Sequence, residues 1–291
     1  MVGDRAVTGS EHTNKRTTVG VLYLIPTPIG NLEDITLRAI RLLKQSDRIL
    51  AEDTRHTGKL LSHLGIGVPM TSFHEHNTQS RIPSIIQKLQ EGQTISLVSD
   101  AGTPGIRDPG EPLVRACIEA EISVVPLPGA TAVTTALSGS GLPTDTFLFD
   151  GFAPRKEGEM KRYLTSVEEE RRTVILFESP KRIVKLLERV VDVLGHDRPM
   201  VVARELTKIH ETFHRGSAGE LLSYFQTHDP RGEMVVLIAP GEVKVKDPEP
   251  LLKQALEQGL PVKMASKKVA EITGLPRKQL YEMALRLKDH S

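Results

Sequence analysis

Short apolar runs alternate along the chain with stretches in which apolar residues recur every three or four positions. The first run, Val19–Ile25, stops at Pro26-Thr27-Pro28. Ile35, Ala39, Leu42 and Leu43 then share one helical face, and Arg48–Ala51 resumes an extended pattern. The same rhythm predicts helices over Thr57–Leu64 and Arg81–Gln90, and another along Leu113, Ala116, Cys117 and Ala120. Strands are predicted at Met70–Phe73, Thr94–Val98 and Ser123–Val125. Alternation at this spacing implies an α/β sheet.

A second set begins after Leu142-Pro143-Thr144, with strands at Thr146–Phe149, Thr173–Phe177, Met200–Ala203, Glu211–His214 and Met234–Ile238. Ile183, Leu186, Leu187, Val190, Val191 and Leu194 form the most regular amphipathic helix. Two successive strands near 200 and 211 have no helix between them, which predicts a mixed sheet. Two α/β lobes are therefore expected, at 19–140 and 141–241, with their boundary near 138–145. Residues 1–18 lack periodicity and read as a disordered leader. Residues 242–250 read as a charged, Pro-containing linker, and 251–291 as a helical segment. There Ala265, Val269 and Ile272 line one helix, Gly274-Leu275-Pro276 turns the chain, and Leu280, Met283, Ala284 and Leu287 line the next. That pattern suits a helix-turn-helix or a helical hairpin packed on the main body.

No apolar run approaches the roughly 18 residues of a membrane span, and the first twenty residues lack a secretory signal. A cytoplasmic protein without a membrane segment is expected. The single cysteine, Cys117, excludes a disulfide framework and a multi-cysteine metal site. A net charge of +1 speaks against a dedicated nucleic-acid binder until it is divided along the chain. Residues 244–288 hold ten Lys/Arg against five Asp/Glu, leaving 28 against 32 elsewhere. A basic module on a near-neutral body suits docking on a large RNA particle.

Three Gly/Pro-rich loops follow strands of the first lobe, where α/β folds bind ligands. Thr27–Asp34 has neither dinucleotide nor P-loop spacing. Ser99–Gly110 carries three glycines and Asp100, whose carboxylate can accept from a ribose or an ammonium. Pro126–Ala132 opens into a helix of small residues. Singly each is an ordinary turn; together they indicate a cleft.

These loops also carry a resemblance. Leu24-Ile25-Pro26-Thr27-Pro28-Ile29-Gly30-Asn31-Leu32-Glu33-Asp34, Ala51-Glu52-Asp53-Thr54-Arg55 and Ser99-Asp100-Ala101-Gly102-Thr103-Pro104 resemble the tetrapyrrole-methylase superfamily. Phe177-Glu178-Ser179-Pro180-Lys181-Arg182 and Arg204-Glu205-Leu206-Thr207-Lys208-Ile209-His210-Glu211 extend it, and the likeness is greatest to the branch that 2′-O-methylates small-subunit ribosomal RNA. It covers about residues 20–240. The first two loops depart from the G-x-G-x-G-D and G-D-P patterns of porphyrin-directed relatives, which favours the RNA branch.

The resemblance implies two α/β lobes closing over S-adenosylmethionine (AdoMet), as a homodimer, without a metal. The implied acceptor is a cytidine ribose in the decoding region of 16S RNA in the small ribosomal subunit. Cofactor contacts are implied for Pro28, Gly30, Asp100, Ala101, Gly102, Thr103, Pro128, Ala130, Thr131 and Ala132, and from the second lobe for Phe177, Leu206, Gly232 and Met234. Asn31, Arg55, Arg107, Lys267, Lys268 and Lys278 are candidates for RNA contact. Glu52 or Asp53 is expected as base or substrate orienter, with Lys208 and Glu211 reaching the acceptor from the second lobe. The plainer alternative for each is a salt bridge bracing a loop, and Asp34 reads as a helix N-cap. His74-Glu75-His76 lacks metal-site spacing, and Cys117 lies on an apolar helix face as a buried thiol. A tetrapyrrole methyltransferase and a non-catalytic RNA-binding or ribosome-assembly protein are the competing readings.

Overall fold

The computed structural model describes residues 19–241 and 247–289. The leader expected at 1–18, and most of the linker expected at 242–250, lie outside the described residues.

The first lobe is a parallel five-stranded sheet in the order β3-β2-β4-β1-β5. Its strands are β1 (Val21–Ile25), β2 (Arg48–Ala51), β3 (Met70–Ser72), β4 (Ile95–Val98) and β5 (Ser123–Pro126). Helices α1 (Leu37–Gln45) and α2 (Thr54–His63) cover one face, where Ala39, Leu43 and Leu61 pack on Ile25, Ile49 and Val98. Helices α3 (Thr78–Gln90) and α4 (Glu111–Glu119) cover the other, where Ile85, Leu89 and Leu113 meet Leu22, Leu50 and Leu97. Cys117 is buried in this second layer, and burial pushes its thiol up to about 11.

The second lobe is a mixed sheet in the order β6-β7-β10-β8-β9, from strands β6 (Phe147–Phe152), β7 (Thr173–Glu178), β8 (Pro199–Arg204), β9 (Thr212–Ser217) and β10 (Met234–Ile238). Only β6 and β7 pair in parallel. Helices α6 (Glu157–Val167), α7 (Ile183–Leu194) and α8 (Ala218–Thr227) bury their apolar sides on one face. Helix α5 (Ala132–Ser140), which follows β5, packs Val133, Ala136 and Leu137 on the other face against Ile175, Val201 and Leu237. The last helix expected in the first lobe thus supplies the core between the lobes.

The C-terminal segment forms three helices, α9 (Pro248–Glu257), α10 (Val262–Thr273) and α11 (Arg277–Asp289), around their own core of Leu252, Ala255, Ala265, Val269, Leu280 and Ala284. Helix α9 begins inside the stretch read as linker, with Asp247 capping it by accepting from the Glu249 N–H at 3.1 Å. Ile272 does not line this core: it is 49% exposed, and Thr273 turns inward instead. Gly274, at φ 71°, ends α10 in the left-handed region before α11 begins.

Candidate active site

A cavity of about 250 Å³ lies between the lobes at the C-terminal ends of β1, β4 and β5. One wall is backbone and small side chains: Ala101, Gly102 and Thr103 after β4, with Thr131 and Ala132 at the start of α5. The facing wall is mostly apolar, from Phe177, Ala203, Leu206, Met234 and Val235, with Glu178 and Glu233 also lining it. Ile29 closes the β1 side. A site with one wall of small residues and backbone and one mostly of hydrocarbon suits a ligand that is polar along one edge.

The small-residue wall is rigid. Thr27 and Gly102 exchange both backbone hydrogen bonds at 2.9 Å, and the buried Thr27 hydroxyl donates to Ser99 O at 2.9 Å. Ser99 Oγ donates to Gly102 O at 3.0 Å, and Thr103 Oγ1 to Ala130 O at 3.3 Å. Gly102 adopts φ 84°, which side-chain-bearing residues avoid. A Cβ there would enter the space between Ile29 and Ala130. That cradle has the shape to fit a nucleoside-type cofactor such as AdoMet, with the Ala101–Thr103 and Thr131–Ala132 segments on one side and Phe177 and Leu206 on the other.

Arg107 spans the lobes over this cavity. Its own φ is 67°, its guanidinium lies 5.8 Å from the Phe152 ring centroid, and it crowds Gly151 so closely that a Cβ there would stand 2.5 Å from Nε. A second crossing joins Gly30 to the 206–208 loop: a Cβ on Gly30 would lie 2.5 Å from Lys208 Cγ and 2.8 Å from Leu206 O.

Of the residues expected to touch cofactor, Ala101, Gly102, Thr103, Thr131, Ala132, Phe177, Leu206 and Met234 line the cavity, as does Arg107 from the expected RNA contacts. Pro28, Gly30, Asp100, Pro128, Ala130 and Gly232 do not, and several have other work. Gly30 is required by the close lobe crossing. Gly232, at φ 78°, faces Glu205. The Asp100 carboxylate accepts the Asp53 N–H at 3.0 Å and so ties the loops after β2 and β4 together.

The expected catalytic residues Asp53 and Lys208 are each held by ionic partners. Asp53 caps α2, accepting the Arg55 N–H at 2.8 Å, and grips the Arg55 guanidinium through both oxygens at 3.1 and 2.8 Å. The Arg55 bonds hold its carboxyl well below the usual range, which makes it a poor base. Lys208 is paired with Glu205 and Glu233 at 2.8 and 2.9 Å, and Glu211 accepts the Thr207 N–H at 2.6 Å. These are the loop-bracing bridges. Asn31 caps the turn Leu32–Asp34 by accepting from Glu33 N–H at 3.1 Å, and Thr36, not Asp34, caps α1.

Glu52 is different. Burial, then the charge of Asp100, pushes its carboxyl up, His74 pulls the other way, and Glu75 adds to the rise. Asp108, which lines the cavity, is pushed up to about 6 by burial, then by Glu52, with Asp100 contributing further and the Ser99 hydroxyl opposing. Glu52, Asp100 and Asp108 thus form a carboxylate cluster at the ends of the adjacent strands β2 and β4. Sequence reasoning missed Asp108, although it sits in the quoted Ser99–Gly110 loop. It also missed Phe152, Ala203, Val235 and the buried Glu178, all on the second-lobe side of the cavity. Glu178 Oε1 accepts the Ser179 N–H at 2.8 Å, and Oε2 stands 3.3 Å from Arg182 without hydrogen-bond alignment. Arg182 Nη2 instead donates to Ala153 O and Pro154 O at 2.9 Å. His74 bonds Asn77 at 3.1 Å, and no metal-holding group of three His, Cys, Asp or Glu occurs among the described residues.

A parallel lobe joined to a mixed-sheet lobe, with a small-residue cleft between them, is the architecture of a known class of methyltransferase. The chain belongs to the tetrapyrrole methylase family, the profile of the Tetrapyrrole (Corrin/Porphyrin) Methylases matching residues 21–222. The RsmI C-terminal HTH domain matches residues 243–288. Its relatives include the ribosomal RNA small subunit methyltransferase I of Synechocystis sp., 48% identical over 279 residues that cover 93% of this chain and 99% of the relative. The protein of the same name from Escherichia coli O157:H7 is 48% identical over 280 residues, covering 94% of this chain and 98% of its own. Among solved structures, cobalt precorrin-4 methyltransferase CbiF shares the fold at a TM-score of 0.56 and 20% identity, over 75% of this chain and 94% of its own. Uroporphyrin-III-C-methyltransferase from Thermus thermophilus does so at 0.55 and 20%, over 83% and 99%.

Proposed function

We propose that this protein transfers a methyl group from AdoMet to the ribose 2′-hydroxyl of a cytidine in the decoding region of 16S ribosomal RNA, acting on the small subunit in the cytoplasm. The observation that carries the acceptor class is the 48% identity with small-subunit rRNA methyltransferases across 93% of the chain. The cavity between the lobes supports the cofactor. Asp108 lines that cavity, so the RNA nucleotide would approach from its side.

AdoMet, when bound, supplies an electrophilic methyl group on a sulfonium, and its transfer is an in-line displacement that needs no metal. The backbone of Ala101–Thr103 and Thr131–Ala132 would hold the cofactor, with Phe177, Leu206 and Met234 excluding water behind it. Arg107 and Phe152 would cover the cavity. A ribose hydroxyl is a weak nucleophile, so a positioned base contributes, typically about 10²–10⁴-fold. We assign that role to the Glu52–Asp108 pair, whose mutual repulsion and burial keep one carboxylate basic near neutrality; the 2′-hydroxyl proton passes to it as the methyl group is accepted. Lys267, Lys268 and Lys278, exposed on α10 and α11, would contact phosphates.

The test is incubation of the protein with labelled AdoMet and 30S subunits, followed by nucleoside analysis. Label on a cytidine ribose is expected; label on precorrin-type tetrapyrroles and none on RNA would overturn the reading. Light scattering on the same preparation is expected to show twice the 32.1 kDa chain mass.

A further inference from the structure

A second cavity, of about 440 Å³, opens between the end of β8, strand β9 and the last turn of α8. It lies on the α8 face of the second sheet, opposite the cleft. His214 is paired with Val202, whose side chain joins the α8-side core, while Phe213 and Ala203 face the lobe interface. Both cavities share one end of the sheet, because Arg204, in the second, is the backbone partner of Met234, in the first.

The wall of this cavity is cationic and aromatic. The His228 ring stacks on Tyr224 with centroids 4.2 Å apart and planes 9° apart, and His214 packs against the same ring at 4.5 Å. Arg204 Nε donates to Arg231 O at 2.7 Å. Arg204 has no carboxylate ion-pair partner among the described residues, because the one acid in the wall, Asp229, is paired with Arg231 at 2.9 Å. Burial, then Arg204 and His228, holds the His214 imidazole below its ordinary value. With Arg231 paired to Asp229, the Arg204 guanidinium is left beside two imidazoles without a carboxylate in the wall. Such a cluster is relieved by an anion, and an exposed flat ring beside an anion site suits a phosphate with its attached base.

We propose that this cavity is a second RNA contact, taking a phosphodiester of the substrate strand outside the cleft, with Arg204 as the charged donor and the His228 ring as a platform for the neighbouring base. This rests on the reading of the protein as an RNA methyltransferase. A strand leaving the cleft over the shared end of the sheet would run toward the cavity, so the site would hold RNA flanking the methylated nucleotide.

The test is titration of the His214 ring resonances by NMR, with and without a single-stranded oligoribonucleotide, and separately with inorganic phosphate. Bound anion favours the charged imidazole, so the oligoribonucleotide is expected to raise the His214 midpoint. In Arg204→Gln the oligoribonucleotide affinity is expected to fall, and the slope of log K against log salt to shrink by about one, while calorimetric AdoMet affinity stays at the wild-type value. His228→Ala, an exposed position, serves as the second variant should Arg204→Gln unfold, and is expected to weaken RNA binding likewise. An unchanged His214 midpoint with RNA, or wild-type RNA affinity and salt slope in the folded variants, would overturn the proposal. A response to phosphate without one to the oligoribonucleotide would overturn it as an RNA site. If wild-type protein binds the oligoribonucleotide here but does not methylate 30S subunits, the proposed function fails and the cavity remains an RNA site.

Discussion

Thr27 and Gly102 exchange two backbone hydrogen bonds of 2.9 Å and lock the loop after β1 to the loop after β4. The cavity wall is therefore built before any ligand arrives, and binding need not supply the ordering entropy of these loops. Gly102→Ala would place a side chain at φ 84°, which costs about 1–2 kcal/mol. AdoMet affinity measured by calorimetry is expected to fall about tenfold or more, with thermal unfolding lowered by a few degrees.

The carboxylates separate into a braced one and basic ones. Asp53→Asn keeps a good helix cap, so methylation is expected to stay within a few-fold of wild type, whereas Asp53→Ala removes the cap and should destabilise α2. Glu52→Gln and Asp108→Asn are each expected to slow single-turnover methylation by about 10²–10⁴-fold with AdoMet affinity largely kept. The wild-type rate should rise with pH through an apparent midpoint near Asp108's value of about 6, and this limb should be lost in Asp108→Asn.

Asp108 also affects stability, and the sign follows from proton binding. Its folded carboxyl titrates at about 6 against an ordinary 3.8, so between those values the folded state holds more protons than the unfolded chain. Stability then falls as pH rises through that window, and the loss persists above it. Partial exposure to solvent limits the effect to about 1 kcal/mol. Asp108→Asn is expected to be more stable than wild type in urea unfolding at pH 8, with the difference vanishing near pH 4.

The Gly30 crossing makes the lobe seam sensitive to one methyl group. Lys208 can swing aside, but Leu206 O is backbone, and an alanine Cβ would stand 2.8 Å from it. Gly30→Ala is expected to cost about 1–3 kcal/mol by overpacking. It should also weaken AdoMet binding, because Leu206 lines the cavity; denaturant unfolding and calorimetry check the two effects.

Charge reversal of the exposed Lys267, Lys268 and Lys278 to glutamate is expected to raise the KM for 30S subunits and flatten its salt dependence. Thermal unfolding of the body should be unaffected, since these lysines lie outside the α9–α11 core. Steady-state kinetics over a salt series measures this.

The sheets were legible in the sequence because their strands are short apolar runs: β2 and β10, central or near-central in their sheets, fall at the predicted residues, and the other strands within a few residues at either end. Helix α8 was not predicted, although Ser217 and Glu220 form a capping box that announces it. The first turn of α9 was read as linker because of its prolines, Pro248 and Pro250, which are tolerated in a first helical turn. At the site, loop motifs identified the small-residue wall but not what each polar side chain does. Asp53 and Asp108 are equally acidic in sequence. Only the placement of Arg55 beside one, and of Glu52 and buried surface around the other, separates a bracing carboxylate from a basic one. The lobe crossings at Gly30 and Gly151 depend on residues more than forty positions away, and no local pattern encodes them.

The most direct test of the account is transfer of labelled methyl from AdoMet to purified 30S subunits by the wild-type protein, read as modified nucleosides after digestion of the 16S RNA. A single 2′-O-methylated cytidine from the decoding region, abolished by Glu52→Gln with Asp108→Asn, is the expected result. Methylation confined to a base, or no label in RNA while AdoMet is bound, would contradict it.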